Sequence, residues 1–488
     1  MGKRCRSKYF TEVVGGVAEA SETADTDVGT LPARRPGETV GTSYLVFVDE
    51  FFIEPRDRDR VLDSLMQQLP NLQREDRMAI VAYDGKKVDM LANWTSDVTA
   101  LTRVVRRAKA RDTRGLARMA EERAFESRRE FDRISGEVTD GRTLPRFDDG
   151  VDLEEERYAE TISSYVQGAV RAATATLRGF AGPTGRKVML LYSGGWPNDP
   201  GRWVVSDFTI ASRLANDVRG GRNLLAPLWQ TANRLGYTIY PVDAPGIDNV
   251  GIDASDSSFE DANLRDELRR VREEQEELSL LALAAETGGQ ALLNNARTAA
   301  FERVVSDTRS YYWLGFTPSW QGDDTEHRVE VRVADRRGAK VRTRESYSDL
   351  SRQTEVSMMV ESALLFGDAP GATPLEVVLG EGKRAGWGKR SVPIEIRIPV
   401  GELTFLPASR GWVTQLELRV AVLDQTNAVA DIPVIPFGFQ AEEPPAANDW
   451  TVYRTELVMR NRAHDLIVSL YDVASGKILA SRLEVPER

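Results

Sequence analysis

The chain has 488 residues and a formal net charge of −11, with 41% apolar and 28% charged residues. That length exceeds what one hydrophobic core supports, so two or three domains are expected, and the interleaving of acidic and basic residues excludes nucleic acid as the main partner. One cysteine, Cys5, and two histidines, His327 and His464, exclude a disulfide framework and a structural zinc site of about four nitrogen or sulfur ligands.

No apolar run approaches the roughly 18 residues a spanning helix needs, so membrane insertion is not expected. Residues 1–41 open on M-G-K-R-C-R-S-K without the apolar segment of an export signal. They continue rich in Gly, Ala, Thr, Glu and Pro without periodicity, which predicts a poorly ordered leader. Thr42 to Pro55 then reads T-S-Y-L-V-F-V-D-E-F-F-I-E-P. Its Tyr44–Val48 run suits a strand buried on both faces of a parallel sheet. Asp49 ends that run, where ligands collect in open α/β sheets; the competing reading is a helix cap or turn residue.

Pro55 opens a helix with Val61, Leu62, Leu65, Met66 and Leu69 at helical spacing. Met78–Tyr83 is a strand stopped by Asp84-Gly85, and Val88–Ala92 returns as a hairpin partner. Thr95 or Ser96 caps the next helix, whose buried face carries Val98, Leu101, Val104, Val105 and Ala108. Residues 111–182 predict a helical insertion of two amphipathic helices, which either pack on the sheet or project from it.

Lys187–Tyr192 is the next strand, ending in Ser193-Gly194-Gly195-Trp196-Pro197, and Tyr237–Val242 ends at Asp243. Helical pattern lies between them, so the unit is strand, crossover helix, parallel strand. Ile247 to Glu277 predicts an acidic loop becoming a helix. Leu278 to Glu286 is a helix stopped at Gly288-Gly289, Gln290–Leu293 a short last strand, and Ala299–Arg309 a last helix. Past it, Tyr311–Phe316, His327–Val333 and Ala339–Arg344 alternate at period two. The domain reading is an α/β domain over 42–317, a β-hairpin extension over 318–350, a linker over 351–373 and a β-sandwich over 374–488.

The segments Y-L-V-F-V-D, E-D-R-M-A-I-V-A-Y-D, R-K-V-M-L-L-Y-S-G-G-W-P, L-G-Y-T-I-Y-P-V-D, A-E-T-G-G-Q-A-L-L-N-N and F-E-R-V-V-S-D-T-R-S-Y-Y-W-L-G-F-T-P follow one another between Tyr44 and about Tyr347. In this order they resemble the bacterial VWFA-related family, von Willebrand factor type A-like domain proteins of the acidobacterial type. The resemblance implies a doubly wound, mostly parallel, Rossmann-type α/β sheet, here with a helical insertion and a C-terminal β-sandwich. It also implies an extracytoplasmic location and a gene start upstream of Met1, with Lys8 to Gly16, K-Y-F-T-E-V-V-G-G, as the remnant of a β-rich leader. The family's fold typically carries a metal-ion-dependent adhesion site for Mg²⁺ or Mn²⁺, built from D-x-S-x-S after the first strand, a loop Thr and an Asp after the fourth strand. Such an ion needs hard oxygen donors.

Asp49 matches the first Asp, but the serine positions hold Phe51 and Ile53, the fourth-strand Asp falls on Gly194, and Thr113 is the nearest match to the loop Thr. A degenerate site without metal or other cofactor is therefore expected. Asp49, Glu50, Ser193, Trp196 and Asp243 remain candidates for a binding cleft at the sheet edge, against the reading in which they cap helices and close turns. Ser193 lacks the first glycine of G-x-S-x-G, since Leu191 stands there. No phosphate-binding G-x-x-x-x-G-K-[ST] loop occurs, and the histidines read as surface or packing residues rather than general bases. The functional expectation is a non-enzymatic module for adhesion or contact with an unidentified protein partner. The alternatives are a hydrolase with an unrecognised site at the same edge and a structural envelope component.

Overall fold

The computed structural model describes residues 9–23, 36–112, 114–138, 153–181, 185–205, 212, 214, 218, 220–246, 259–316, 321–333, 338–366, 373–424 and 433–486. The chain forms two compact units, residues 1–349 and 350–488. Among the described residues no helix is long and apolar enough to cross a membrane.

Part of the leader is paired, while residues 1–8 and 24–35 lie outside the described residues. Strands β1 (Tyr9–Val14) and β2 (Val17–Thr23) form a hairpin whose turn residues Gly15 and Gly16 take φ of 58° and 83°, a left-handed geometry that glycine adopts without steric cost. The expectation of disorder missed this pairing because the strands' other partner lies some three hundred residues on.

Strand β3 (Thr42–Asp49) buries all eight of its residues. Helix α1 (Pro55–Gln68) starts on its proline and buries Val61, Leu62 and Leu65. Strands β4 (Arg77–Tyr83) and β5 (Val88–Thr95) make the expected antiparallel pair. Helix α2 (Val98–Lys109) is capped by Asp97, whose Oδ1 accepts from the N–H groups of Thr99 (2.8 Å) and Ala100 (3.0 Å). The cap expected at Thr95 or Ser96 thus sits one or two residues later, where a carboxylate reaches the second and third free N–H groups of the helix.

Within 111–182, helices α3 (Gly115–Val138) and α4 (Leu153–Gly179) pack rather than project. Phe125 of α3 stacks on Tyr158 of α4 with centroids 4.1 Å apart, and α4 buries Ile162, Val166, Ala169, Val170 and Ala173. Strand β6 (Arg186–Ser193), the short helix α5 (Pro200–Val204), helix α6 (Arg222–Leu235) and strand β7 (Tyr237–Asp243) follow. The central sheet runs β5-β4-β3-β6-β7, with every pair parallel except the β4–β5 edge.

Helices cover both faces of this sheet. Tyr44, Val46 and Val48 of β3 point into one apolar cluster with α1, α2 and Phe301, while α4 lies against β3 and β4 on the other side. The resulting mixed α/β unit, with helices on both faces and acidic residues at strand ends, matches the α/β class read from the sequence. Residues 247–258 lie outside the described residues; from Phe259 the expected acidic loop becoming a helix and the separate helix at Leu278–Glu286 are one continuous helix, α7 (Phe259–Thr287). Its charged first half is held by pairs such as Arg272 to Glu122.

Gln290–Leu293 does not become a strand. It makes one parallel bridge, Leu292 to Val242. On this outer edge of β7 the N–H of Ile239 goes to Thr287 Oγ1 and that of Asp243 to the Leu292 carbonyl. The residue between them is Pro241, which has no donor to continue a ladder.

Helix α8 (Ala300–Thr308) leads into β8 (Tyr311–Gly315). It pairs back onto β1 to give the order β2-β1-β8, and Tyr9–Trp313 and Phe10–Tyr312 ring contacts hold the register. The expected hairpin of His327–Val333 with Ala339–Arg344 is corrected to a shorter pair, β9 (Thr325–Arg328) with β10 (Ser346–Asp349). The second arm leaves the ladder because it engages the end of α7. Thr343 approaches Gly288, and the Glu345 N–H donates to the Glu286 carbonyl at 3.2 Å.

The second unit begins with helix α9 (Arg352–Phe366), where a linker over 351–373 was expected. Val356, Val360 and Leu364 recur every fourth residue and are buried, and the helix packs on strands β16 and β19 named below. Buried Arg419 anchors it, donating to the Gln353 carbonyl and Ser357 Oγ. The strands are β11 (Thr373–Pro374), β12 (Glu376–Leu379), β13 (Lys383–Arg384), β14 (Lys389–Pro399), β15 (Leu406–Pro407), β16 (Trp412–Asp424), β17 (Val434–Ala441), β18 (Trp450–Arg460), β19 (His464–Asp472) and β20 (Ile478–Val485). One sheet runs β11-β20-β19-β16-β15 with β17 on β16, and the other runs β12-β14-β13 with β18 on β14. Inward residues such as Ile394, Ile396, Leu418 and Val468 form one shared core.

Candidate functional site at the carboxyl edge of the central sheet

The parallel register that sets Val48 beside Tyr192 brings the ends of β3 and β6 together. Three of the five candidate residues meet there. Asp49 is fully buried, and its Oδ2 accepts from Ser193 Oγ at 2.9 Å and from the Trp196 indole N–H at 2.7 Å. Its Oδ1 accepts from the backbone N–H groups of Phe51 and Phe52, both at 3.2 Å. Burial pushes the Asp49 carboxyl above its ordinary range, opposed by the hydrogen bonds from Trp196 and Ser193.

This donor set decides the chemistry. A cation-binding carboxylate offers lone pairs toward the ion, flanked by further oxygen acceptors. Here Ser193 points its O–H at Asp49, and the indole N–H occupies the approach to Oδ2. Trp196 is itself locked, fully buried, with its backbone N–H on Ser279 Oγ at 3.0 Å. Of the other residues that the sequence resemblance sets against metal ligands, Ile53 is buried in the apolar cluster, Phe51 packs edge-on to Tyr165 at 5.0 Å, and Thr113 lies outside the described residues. At Gly194 a Cβ would lie 2.2 Å from the Phe52 carbonyl oxygen. No side chain fits there, so an aspartate at this position would have to displace the β3 turn.

Glu50 and Asp243 stand apart from that cluster. Glu50, also fully buried, pairs with Arg111 Nε at 3.0 Å and lies 3.8 Å from Arg58. Burial raises its carboxyl and Arg111 opposes the rise. Arg58 donates to the carbonyls of Lys109 (2.6 Å) and Arg111 (2.7 Å), closing the end of α2 onto α1. Asp243 is raised by burial, opposed by backbone N–H groups of Gly246 and Asn294, and serves the turn after β7. Among the described residues, Trp196, Asp49 and Glu50 are thus fully buried and hydrogen-bonded or ion-paired at the sheet edge, and Asp243 is buried at the end of β7. The hydroxyl of Ser193 is engaged with Asp49 and with the Gly195 N–H, not with an imidazole.

Sequence reasoning missed Arg58, Arg111 and Ser279. Arg58 sits in R-D-R-D-R, which looks like a solvated helix start, and nothing local reveals that its guanidinium turns inward. A further, partly buried group is Glu276 of α7, which accepts from the Trp203 indole N–H at 3.1 Å. Burial pushes its carboxyl up to about 8. The folded chain then keeps a proton that the unfolded chain releases, so stability falls as pH rises from the ordinary value of 4.5 toward about 8. Because solvent reaches part of this side chain, Glu276→Gln is expected to stabilise the first unit by about 2 kcal/mol at pH 8 and little at pH 4; urea melts of both proteins at the two pH values check this.

Comparison with known proteins adds no identity. No family model matches the chain and no curated protein does. Among solved structures, a β-glucuronidase of Bacteroides uniformis aligns at 10% identity with a TM-score of 0.17, over 23% of this chain and 13% of that one. A protein from Archaeoglobus fulgidus aligns at 6% identity with a TM-score of 0.15, over 23% of this chain and 91% of that one. At such scores the likeness carries no argument.

Proposed function

We propose that this chain is a non-enzymatic, extracytoplasmic interaction protein, built on a von Willebrand A-like, Rossmann-type core with a C-terminal β-sandwich. In this reading the edge that would hold a metal-ion-dependent adhesion site has become a structural node. The strand order, the parallel core and the antiparallel edge strand support the core assignment. The observation that carries the reading is the fully buried Asp49 carboxylate, which accepts four hydrogen bonds, from Ser193, Trp196, Phe51 and Phe52.

Partner contact then belongs to surface away from this edge. Trp387, on the turn before β14, is 95% exposed, and tryptophan, with an apolar body and one donor, is among the residue types enriched at the anchors of protein contacts.

Isothermal calorimetry with Mg²⁺ and Mn²⁺ tests the central claim. The expected result is that Asp49→Ala leaves whatever binding is seen unchanged. Micromolar binding abolished by Asp49→Ala would mean a working adhesion site and overturn the reading.

A further inference from the structure

Two histidines and one cysteine are too few for a site of nitrogen and sulfur ligands alone, but a mixed nitrogen and oxygen site escapes that count. Asp323, Thr325 and His327 alternate through the start of β9, so an extended backbone would place all three on one face. Asp324, between the first two, takes φ of 61° and turns Asp323 about that face. Across the ladder Asp349 is the partner of Thr325, and Tyr347 the partner of His327. As a result one ligating atom from each of Asp323, His327 and Asp349 lies within 4.8 Å of the others.

The surroundings orient these groups much as the hydrogen bonds behind metal ligands orient them in known sites. Asp349 is buried to 1% exposure, and its two carboxylate oxygens accept from the backbone N–H groups of Gln321 (2.6 Å) and Gly322 (3.0 Å). Each oxygen keeps a lone pair beyond that bond, and the donors are backbone groups rather than a basic side chain. Asp323 Oδ1 accepts from the Thr325 N–H (3.1 Å) and hydroxyl (2.7 Å). The same hydroxyl lies 3.0 Å from His327 Nε2, and the imidazole stacks on Tyr347 with centroids 5.0 Å apart. Two carboxylates and one imidazole are thus held by turns, a hydroxyl and a ring stack.

We propose that Asp323, His327 and Asp349 form a site for one divalent first-row transition ion, with Zn²⁺ as its best representative. An imidazole suits zinc and its neighbours, whereas Mg²⁺ and Ca²⁺ take oxygen donors. Donors around a tetrahedral zinc stand roughly 3.4 Å apart at bond lengths near 2.1 Å, so the set closes in from its present spread of up to 4.8 Å when the ion binds, Asp323 being the exposed member free to adjust. Three protein donors leave one position to water. The ion ties the turn at 321–324 to the last residue of β10.

The test is a Zn²⁺ titration of the tag-free full-length chain by calorimetry, with Co²⁺ as a spectroscopic stand-in. Saturable one-to-one binding is expected, weakened at least tenfold by Asp323→Asn and by His327→Gln and unchanged by His464→Gln or Cys5→Ser. The Co²⁺ complex should show ligand-field bands without a thiolate charge-transfer band. Asp349→Asn is expected to abolish binding, but Asp349 also holds its turn, so the decisive variants are those at the exposed Asp323 and at His327, with circular dichroism confirming that both fold. No saturable Zn²⁺ binding, or binding that survives both of those substitutions, overturns the proposal. The readout is independent of Asp49, so it stands or falls apart from the functional reading above.

Discussion

Replacing Trp196 with alanine is expected to destabilise the first unit by about 4 kcal/mol, as lost aromatic burial and the cavity left behind add together. The indole is fully buried and its N–H is a 2.7 Å donor to Asp49, so truncation also strands a buried carboxylate that has lost one of its donors. Trp196→Phe separates the two contributions. It keeps most of the ring volume, removes the N–H, and is expected to cost about 2 kcal/mol. Urea unfolding followed by fluorescence and by amide exchange of β3 gives both numbers; a loss below about 1 kcal/mol for the alanine variant would mean that the sheet edge is not held by this node.

Arg58→Met is expected to cost about 3 kcal/mol, the scale found when one member of a buried ion pair is removed. Arg58 is 2% exposed, it closes the carbonyl end of α2, and it faces Glu50, which has no exposure at all. Methionine fills similar volume but leaves two carbonyls and part of the Glu50 charge unanswered. Arg111 still pairs with Glu50, which keeps the loss near the lower end of that scale. The double variant Arg58→Met with Glu50→Gln is expected to recover about 1 kcal/mol relative to additivity, because neutralising Glu50 removes the charge that Arg58 answered. Thermal unfolding of the two single variants and the double variant closes the cycle.

Much of the first unit was legible because its cues are local. Tyr44–Val48, Met78–Tyr83, Lys187–Tyr192 and Tyr237–Val242 are unbroken apolar runs, and a strand buried on both faces requires such a run. Pro55 and the apolar spacing after it mark α1 for equally local reasons. The errors came where a local cue had a distant competitor. Ala339–Arg344 alternates like a strand, yet Thr343 lies against Gly288 and the Glu345 N–H donates to the Glu286 carbonyl at the end of α7. Residues 9–23 lack a long apolar run, yet β1 pairs with β8, with ring contacts such as Tyr9 with Trp313.

The sequence by itself determined the kinds of element, the α/β unit followed by a strand-rich one, and the absence of oxygen-bearing side chains at Phe51, Ile53 and Gly194. It also carried the alternation Asp323, Thr325, His327, although the alternation alone names no fourth group. Only the tertiary structure decided what Asp49 faces. Its partners Ser193 and Trp196 lie 144 and 147 residues away, and Asp349 reaches the Asp323–His327 face through the register of β9 with β10. Local spacing reports which face of an element is buried; which donor meets which acceptor depends on strand order and register, and these are settled by the packing of the whole sheet.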